Sequence, residues 1–335
     1  MAEVILKNLS KSFGSDVGVD DISMTIPDGA FVVLLGPTGA GKTTTLRLIS
    51  GLEKADSGEV WIGGRNVGNE TPAQRDVAMV FQQYSLYPHL TVRDNLAFPL
   101  KSPILNTPAD EIARKVKEVA EVLQISHKLD NKATALSGGE MQRVSIGRAL
   151  VREPSIYLMD EPLSSLDAKL RTDLRVELKR IQASLGATLL YVTHDQIEAM
   201  TMATHVGVLN EGKLVQYGTP REIYENPNSL YVASRLGLPR INILPAGLFT
   251  GKPSEATHIG MRPEHIAQGP DHADGQNAEV KRIEHLGDHT RLHLTMQGHD
   301  ITTIATPGTD YTPGAPLKIA PKNPLYFDAQ GQRIS

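Results

Sequence analysis

Residues 31–43 read FVVLLGPTGAGKT: five apolar residues run straight into a glycine-rich turn that ends in Lys-Thr. Continuous rather than alternating apolarity suits a strand buried on both faces, as in a parallel sheet. The following GPTGAGKT, residues 36–43, matches a phosphate-binding loop in spelling and in its strand-to-helix setting. Its glycines let backbone N–H groups face an anion, and the helix that opens at its end adds partial positive charge there. Lys42 is placed to reach the β and γ phosphates of a nucleotide, and the Thr43 hydroxyl offers a hard oxygen to Mg²⁺.

Three further apolar runs end on polar groups. SIYLMDE places Asp160 and Glu161 at the end of one strand, VAMVF at 77–81 ends at Gln82, and TLLYVT ends at His194. In open parallel sheets ligands sit beyond the carboxyl ends of the strands, so these side chains are expected to converge on the phosphate loop. Asp160 is expected to hold the Mg²⁺ shell and Glu161 to orient or deprotonate the attacking water. His194 can donate to a γ-phosphate as charge develops, and Gln82 can bind Mg²⁺ or that water. LSGGEMQRVSIGRAL, from Leu136, reads as a second helix start, with Ser137 as N-cap and Glu140 as the matching capping-box acid.

Around these motifs the apolar runs alternate with helical periodicity at 43–52, 109–124, 138–151, 167–185 and 195–203, which predicts an α/β domain. The segment 101–108, KSPILNTP, carries two prolines and reads as a loop. Beyond about residue 240 the texture changes to short β-type runs broken by Gly and Pro (THIGM, NAEVKRIEHL, RLHLTM, DITTIA, LKIA, PLYF), which predicts a small β-barrel or paired barrels. The boundary is placed within 236–247. His285, His289 and His293 are spaced by four, but the sequence there reads strand, LGD turn, strand, which separates them and argues against a metal site.

Composition narrows the classes. The 335 residues, 40% of them hydrophobic, suffice for two domains with real cores. With 34 Lys plus Arg against 38 Asp plus Glu, the net charge of −4 provides no overall basic field for nucleic acid. The absence of Cys excludes a disulfide framework, a zinc-thiolate site and a thiol nucleophile. MAEVILKNLSKSF does not read as a signal peptide, and the apolar runs are far shorter than a membrane span, so membrane association is expected only through a partner.

The phosphate loop, Gln82, LSGGE, the Asp160-Glu161 pair, Ser165-Leu166-Asp167 and His194, in this order, closely resemble the ATP-binding cassette (ABC) family. The resemblance implies a P-loop ATPase domain over residues 1–236 with a helical subdomain at about 84–152, and a small C-terminal all-β, OB-like regulatory and dimerisation domain over 237–335. It implies ATP held by Phe13, stacked on adenine, and by Gly36, Pro37, Thr38, Gly39, Ala40, Gly41, Lys42, Thr43 and Thr44. It implies Mg²⁺ on Thr43, Gln82 and Asp160, with Glu161, His194 and Gln82 catalytic. It further implies a head-to-tail homodimer in which Ser137, Gly138, Gly139 and Glu140 of one copy close over ATP held by the other, with Ser165, Leu166 and Asp167 crossing the interface.

QRDVAMVFQQYSLYPHLTVRDNLAFPL, the stretch from Tyr191 to Pro227, and GMRPEH are similar to the ATPases of bacterial carbohydrate importers of the maltose and glycerol-phosphate type. That subgroup implies two integral membrane permease subunits, an extracytoplasmic solute-binding protein, and a peripheral position on the cytoplasmic face of the inner membrane. Tyr84, Leu86 and Tyr87 would line the groove for a permease coupling helix. The chain departs from the family at Glu140, where Gln is usual, and in a C-terminal region of about 95 residues, shorter than usual for the group. The acid either weakens contacts to ATP or caps its own helix. A polyamine or inorganic-ion importer is the nearest alternative. A soluble cassette acting on DNA or ribosomes usually carries a coiled coil or paired cassettes, and this sequence shows neither.

Overall fold

The computed structural model describes residues 1–103, 105–269 and 275–334. Ile104, inside the segment read as a loop at 101–108, lies outside the described residues, as do 270–274 and Ser335 of the C-terminal region. The chain divides into two compact units, Met1–Pro220 and Arg221–Ser335.

In the first unit, strands β1 (Val4–Phe13), β2 (Asp16–Ile26), β4 (Ser57–Ile62) and β5 (Arg65–Asn66) form an antiparallel sheet in the order β2-β1-β4-β5. A second sheet has the order β10-β9-β3-β8-β7-β6, from β3 (Phe31–Leu35), β6 (Val77–Val80), β7 (Ile156–Asp160), β8 (Leu189–Thr193), β9 (His205–Asn210) and β10 (Lys213–Gly218). All its neighbours run parallel except the β9–β10 pair. β3, β7 and β8 are buried along their whole length, which is why their sequences are continuously apolar.

Helix α1 (Lys42–Ser50) follows β3, and its Leu46, Leu48 and Ile49 share one core with Val4, Leu6 and Ile22 of the antiparallel sheet and Leu34, Leu158 and Leu190 of the parallel one. Between β6 and β7 the chain forms α2 (Val92–Ala97), α3 (Ala109–Val122) and α4 (Gly138–Leu150). Gly147 lets α4 approach α2 and α3: a β-carbon there would sit 2.6 Å from Leu96 and 2.9 Å from Leu123. After β7 come α5 (Ala168–Leu185) and, between β8 and β9, α6 (Gln196–Met202).

The antiparallel sheet is absent from the sequence reading because its alternation is broken. Register shifts interrupt β1 between Leu6 and Leu9 and again on either side of Lys11, and Asn8 and Asp21 adopt positive φ with their side chains hydrogen-bonded at 2.8 Å.

The second unit opens with α7 (Pro220–Glu225, its first residue at the junction) and α8 (Leu230–Arg235). Two antiparallel sheets follow. One is β11-β12-β18-β19 (Asn242–Pro245, His258–Met261, Leu325–Phe327, Arg333–Ile334) and the other β13-β17-β14-β15-β16 (Ile266–Gln268, Pro316–Pro321, Gln276–His285, Thr290–Met296, His299–Ile304). They enclose a core that includes Ile259, Met261, Val280, Leu292, Leu294 and Ile319. This compact unit begins earlier than the boundary read near residues 236–247, because α7 and α8 are tied to the strands: the buried Arg262 donates to the carbonyls of Tyr224, Ala233 and Leu236. His285 ends β14, His289 lies in the turn and His293 lies on β15, the strand–turn–strand arrangement expected.

Candidate nucleotide site

The phosphate loop owes its shape to its glycines, most plainly to Gly41. Gly41 stands at the N-cap of α1 with φ of 96°, and a β-carbon there would strike the Gly18 carbonyl. With no cap side chain, the first N–H groups of α1 carry no side-chain acceptor and remain free for an anion. Lys42 is 5% exposed, and its ammonium donates to the carbonyls of Gly36 and Pro37, each at 3.0 Å. The same ammonium lies 3.4 Å from Glu161 Oε1.

The strand ends converge. Thr43 Oγ1 donates to Asp160 Oδ1 at 2.9 Å, linking the first turn of α1 to the end of β7. Asp160 is buried, and burial pushes its carboxyl above the ordinary range; the Thr43 hydrogen bond pulls against that, while the Glu161 charge adds to the rise. Glu161 has φ of 42°, a strained conformation for a non-glycine, and its N–H is held by the Val192 carbonyl on β8 at 3.1 Å. Glu161 Oε2 lies 3.1 Å from His194 Nδ1, and His194 is largely exposed beyond β8.

A cavity of about 390 Å³ is lined by Phe13, Thr38, Gly39, Gly41, Lys42, Thr43, Thr44, Gln82 and Glu161. It thus gathers side chains from the ends of β1, β3, β6 and β7. Thr43, hydrogen-bonded to Asp160 and sharing the cavity wall with Gln82, belongs to a set of hydroxyl, carboxylate and amide oxygens, hard donors of the kind Mg²⁺ takes. Asp16, Val17 and Gly18 also line the cavity and were missed in the sequence. Phe13 pairs with Asp16 around Gly14, a turn that brings β2 back toward the loop and that no sequence pattern announces.

The Ser137–Glu140 turn is not among the residues lining this cavity. It starts α4 with a complete capping box. The Ser137 hydroxyl accepts from the Glu140 N–H, and a Glu140 carboxylate oxygen accepts from the Ser137 N–H at 2.8 Å. Lys128 lies 3.1 Å from the other oxygen. The Ser137 N–H leads the causes that hold the Glu140 carboxyl below its usual range. Of the two readings of this acid, the geometry carries the helix cap.

Asp167 caps α5 by accepting from Leu170 N–H at 3.0 Å, Leu166 is buried, and exposed Ser165 lies 3.2 Å from the Tyr84 hydroxyl. Of Tyr84, Leu86 and Tyr87, only Tyr84 lines the cavity of about 170 Å³ between Phe81, Pro99, Arg148 and Arg152. Tyr87 instead packs on Phe98 at 4.3 Å between ring centres, under Arg148.

Among the described residues no helix is long and apolar enough to cross a membrane. The ABC transporter family profile matches residues 19–164 and the TOBE domain profile residues 259–323. An sn-glycerol-3-phosphate import ATP-binding protein, UgpC, from Brucella abortus is 49% identical over 310 residues, covering 88% of each chain. A further UgpC from Agrobacterium fabrum is 43% identical over the full length of both. Among solved structures, the dimeric cassette MJ0796 superposes with a TM-score of 0.59 at 29% identity, over 65% of this chain and 99% of that one. The same cassette in a post-hydrolysis state with ADP and Pi gives 0.58 at 30% identity, and cbiO1 of Clostridium perfringens gives 0.62 at 26%, over 67% of this chain and 90% of that one.

Proposed function

Given that this chain belongs to the import ATP-binding proteins of the ABC transporters and hydrolyses ATP to drive uptake, we propose that the converged strand ends form its catalytic centre. The observation that carries this is the continuous chain of contacts Thr43–Asp160, Lys42–Glu161 and Glu161–His194 at one sheet edge.

In this reading the loop N–H groups and Lys42 bind the β and γ phosphates, and Phe13 covers the adenine. Thr43, Asp160 and Gln82 would hold Mg²⁺, which would supply positive charge beside the phosphates. Glu161 orients the attacking water, and its strained backbone fixes the carboxylate over the loop. His194 holds Glu161 through Nδ1, leaving Nε2 to meet charge developing on the γ-phosphate.

Two copies close head to tail, each presenting Ser137, Gly138, Gly139 and Glu140 to the other's nucleotide, with Ser165 and Asp167 at the crossing. Because a ligand shifts an equilibrium only by its differential affinity, ATP must bind the closed pair more tightly than the open one. The closure drives two integral membrane permease subunits served by an extracytoplasmic binding protein. The chain sits at the cytoplasmic face of the bacterial inner membrane through those subunits. The transported solute is sn-glycerol-3-phosphate, the substrate that the names of the relatives carry.

Glu161→Gln keeps the shape and removes the base, so turnover is expected to fall by about 10²–10⁴-fold while an ATP-bound dimer accumulates on size-exclusion chromatography. A variant that stays monomeric at saturating ATP contradicts the dimer mechanism. Uptake into proteoliposomes holding the complete transporter tests the solute: import of other sugars without sn-glycerol-3-phosphate overturns that assignment.

A further inference from the structure

Arg171 is placed against helix electrostatics. It lies one turn into α5, whose first turn carries no acid, so its charge opposes the partial positive charge of that helix start. Helical side chains lean back toward the N-terminus of their helix, and this one reaches the carbonyls that precede the cap residue Asp167. One terminal nitrogen, Nη2, donates to the Leu166 carbonyl at 2.9 Å and to the Ser164 carbonyl at 3.4 Å. The other, Nη1, lies 3.8 Å from Oδ2 of Asp195, the residue after His194.

Asp195 divides its carboxylate. Oδ1 caps α6 by accepting from the N–H groups of Ile197 at 2.7 Å and Glu198 at 3.4 Å, which leaves Oδ2 to the guanidinium. The Asp195 N–H donates to Thr193 Oγ1 at 3.0 Å, so the two neighbours of His194 are tied together. The buried Glu198 accepts from the Tyr191 hydroxyl at 2.9 Å and anchors α6 to β8. On the other arm, Ser164 donates its N–H at 3.2 Å and its hydroxyl at 2.8 Å to the Glu161 carbonyl. The contacts close into a ring. They run from Glu161 to Ser164, Arg171 and Asp195, and from the adjoining His194 through Nδ1 back to Glu161 Oε2 at 3.1 Å. In this ring Arg171 joins the arm that follows Glu161 to the arm that follows His194. A planar guanidinium presents donors on two nitrogens at fixed spacing, which suits two partners on different segments.

We propose that Arg171 is a positioning residue for the hydrolytic step: it locks the His194 turn to the Ser164–Leu166 arm of the loop assigned to the interface, and so holds the imidazole against the Glu161 carboxylate. Arg171 does not line the nucleotide cavity, so its effect passes through Asp195 and Ser164. The inference rests on the reading of Glu161 and His194 as catalytic and adds to it a residue outside the cavity.

The test is steady-state ATP hydrolysis by the full chain, comparing wild type with Arg171→Met, Asp195→Asn, their double variant, Lys179→Met and His194→Ala. Asp195→Asn keeps an oxygen to cap α6 and removes the charge that faces Arg171, so it carries the test if Arg171→Met does not fold. Each of these two variants is expected to lower kcat about tenfold with KM for ATP within about twofold of wild type, because misplaced catalytic groups slow the chemical step without weakening nucleotide binding. The double variant should fall no further than the worse single one, as for partners in one interaction. Lys179→Met removes a different tie between α5 and α6, the bond from Nζ to the Thr201 carbonyl at 2.6 Å, and should keep the wild-type kcat. Wild-type kcat in Arg171→Met and Asp195→Asn while His194→Ala is inactive, losses that add in the double variant, or an equal loss in Lys179→Met would overturn the inference alone. Wild-type turnover by His194→Ala would overturn the catalytic reading and this inference with it.

Discussion

Asp160 answers two opposed demands. Its carboxylate sits at the end of a fully buried strand, where burial disfavours the charge that the proposed role as a Mg²⁺ ligand requires. Its folded pKa lies above the unfolded value, so the neutral acid is the form the fold accommodates, and the native state gives up stability as pH rises through that raised pKa. Asp160→Asn is therefore expected to raise the melting temperature of nucleotide-free protein at pH 7. The gain should shrink as pH is lowered toward the unfolded carboxylate value of about 3.9, where Asp160 is already neutral. The same change should abolish Mg²⁺-dependent ATPase activity. Thermal melts from pH 4 to 8 check the first part, and a lower melting temperature at pH 7 would refute it. At this scale the sequence was legible wherever a polar residue follows a continuous apolar run, as at Gln82, Asp160 and His194, because parallel strands deliver their ends to one edge. It was not legible at Asp16, Val17 and Gly18, whose place in the cavity depends on a hairpin and a sheet–sheet stacking that no local pattern announces.

At the scale of elements, α4 shows how an atypical acid serves a helix. Glu140 closes the capping box on Ser137 and lies 3.1 Å from Lys128, so its carboxylate is engaged within its own chain. Glu140→Gln keeps an oxygen that accepts from the Ser137 N–H and loses only a partly exposed ion pair worth a few tenths of a kcal/mol. Glu140→Ala removes both, and loss of such a cap costs roughly 1 kcal/mol. Urea unfolding at pH 7 is expected to rank the proteins wild type, Gln, Ala. The gap between wild type and Ala should close at low pH: the Glu140 pKa is depressed in the fold, so its contribution is present above the unfolded value and lost as pH falls through the folded one. An Ala variant as stable as wild type at pH 7 would remove the cap from the account. The long helices α3 and α5 were legible because each shows apolar periodicity over three or more turns, and α4 because Ser137 and Glu140 mark its start. The six-residue α2, α7 and α8 are too short to display a period, and tertiary packing rather than local preference forms them.

The whole molecule is two units, and the second is not the β region alone. Leu230 and Ala233 of α8 pack with Ile241, Leu325 and Phe327, the Leu230 N–H is held by the Gly331 carbonyl, and Arg262 spends its donors on the carbonyls of α7, α8 and the turn after α8. A protein cut at residue 237 loses every carbonyl partner of Arg262 and also Leu230 and Ala233, uncovering the apolar surface of Ile241, Leu325 and Phe327 at about 1.5–3 kcal/mol per large side chain. Since domains are stable by only about 5–15 kcal/mol, a loss of that order removes a large share of the total. A fragment of residues 221–335 is expected to unfold in one cooperative thermal transition, with the dispersed amide NMR spectrum of a folded domain. A fragment of residues 237–335 should melt at least ten degrees lower or lack a transition. Equal stability of the two would mean that α7 and α8 merely rest on the β unit, and the domain boundary would return to the Gly- and Pro-rich stretch where the sequence alone had placed it.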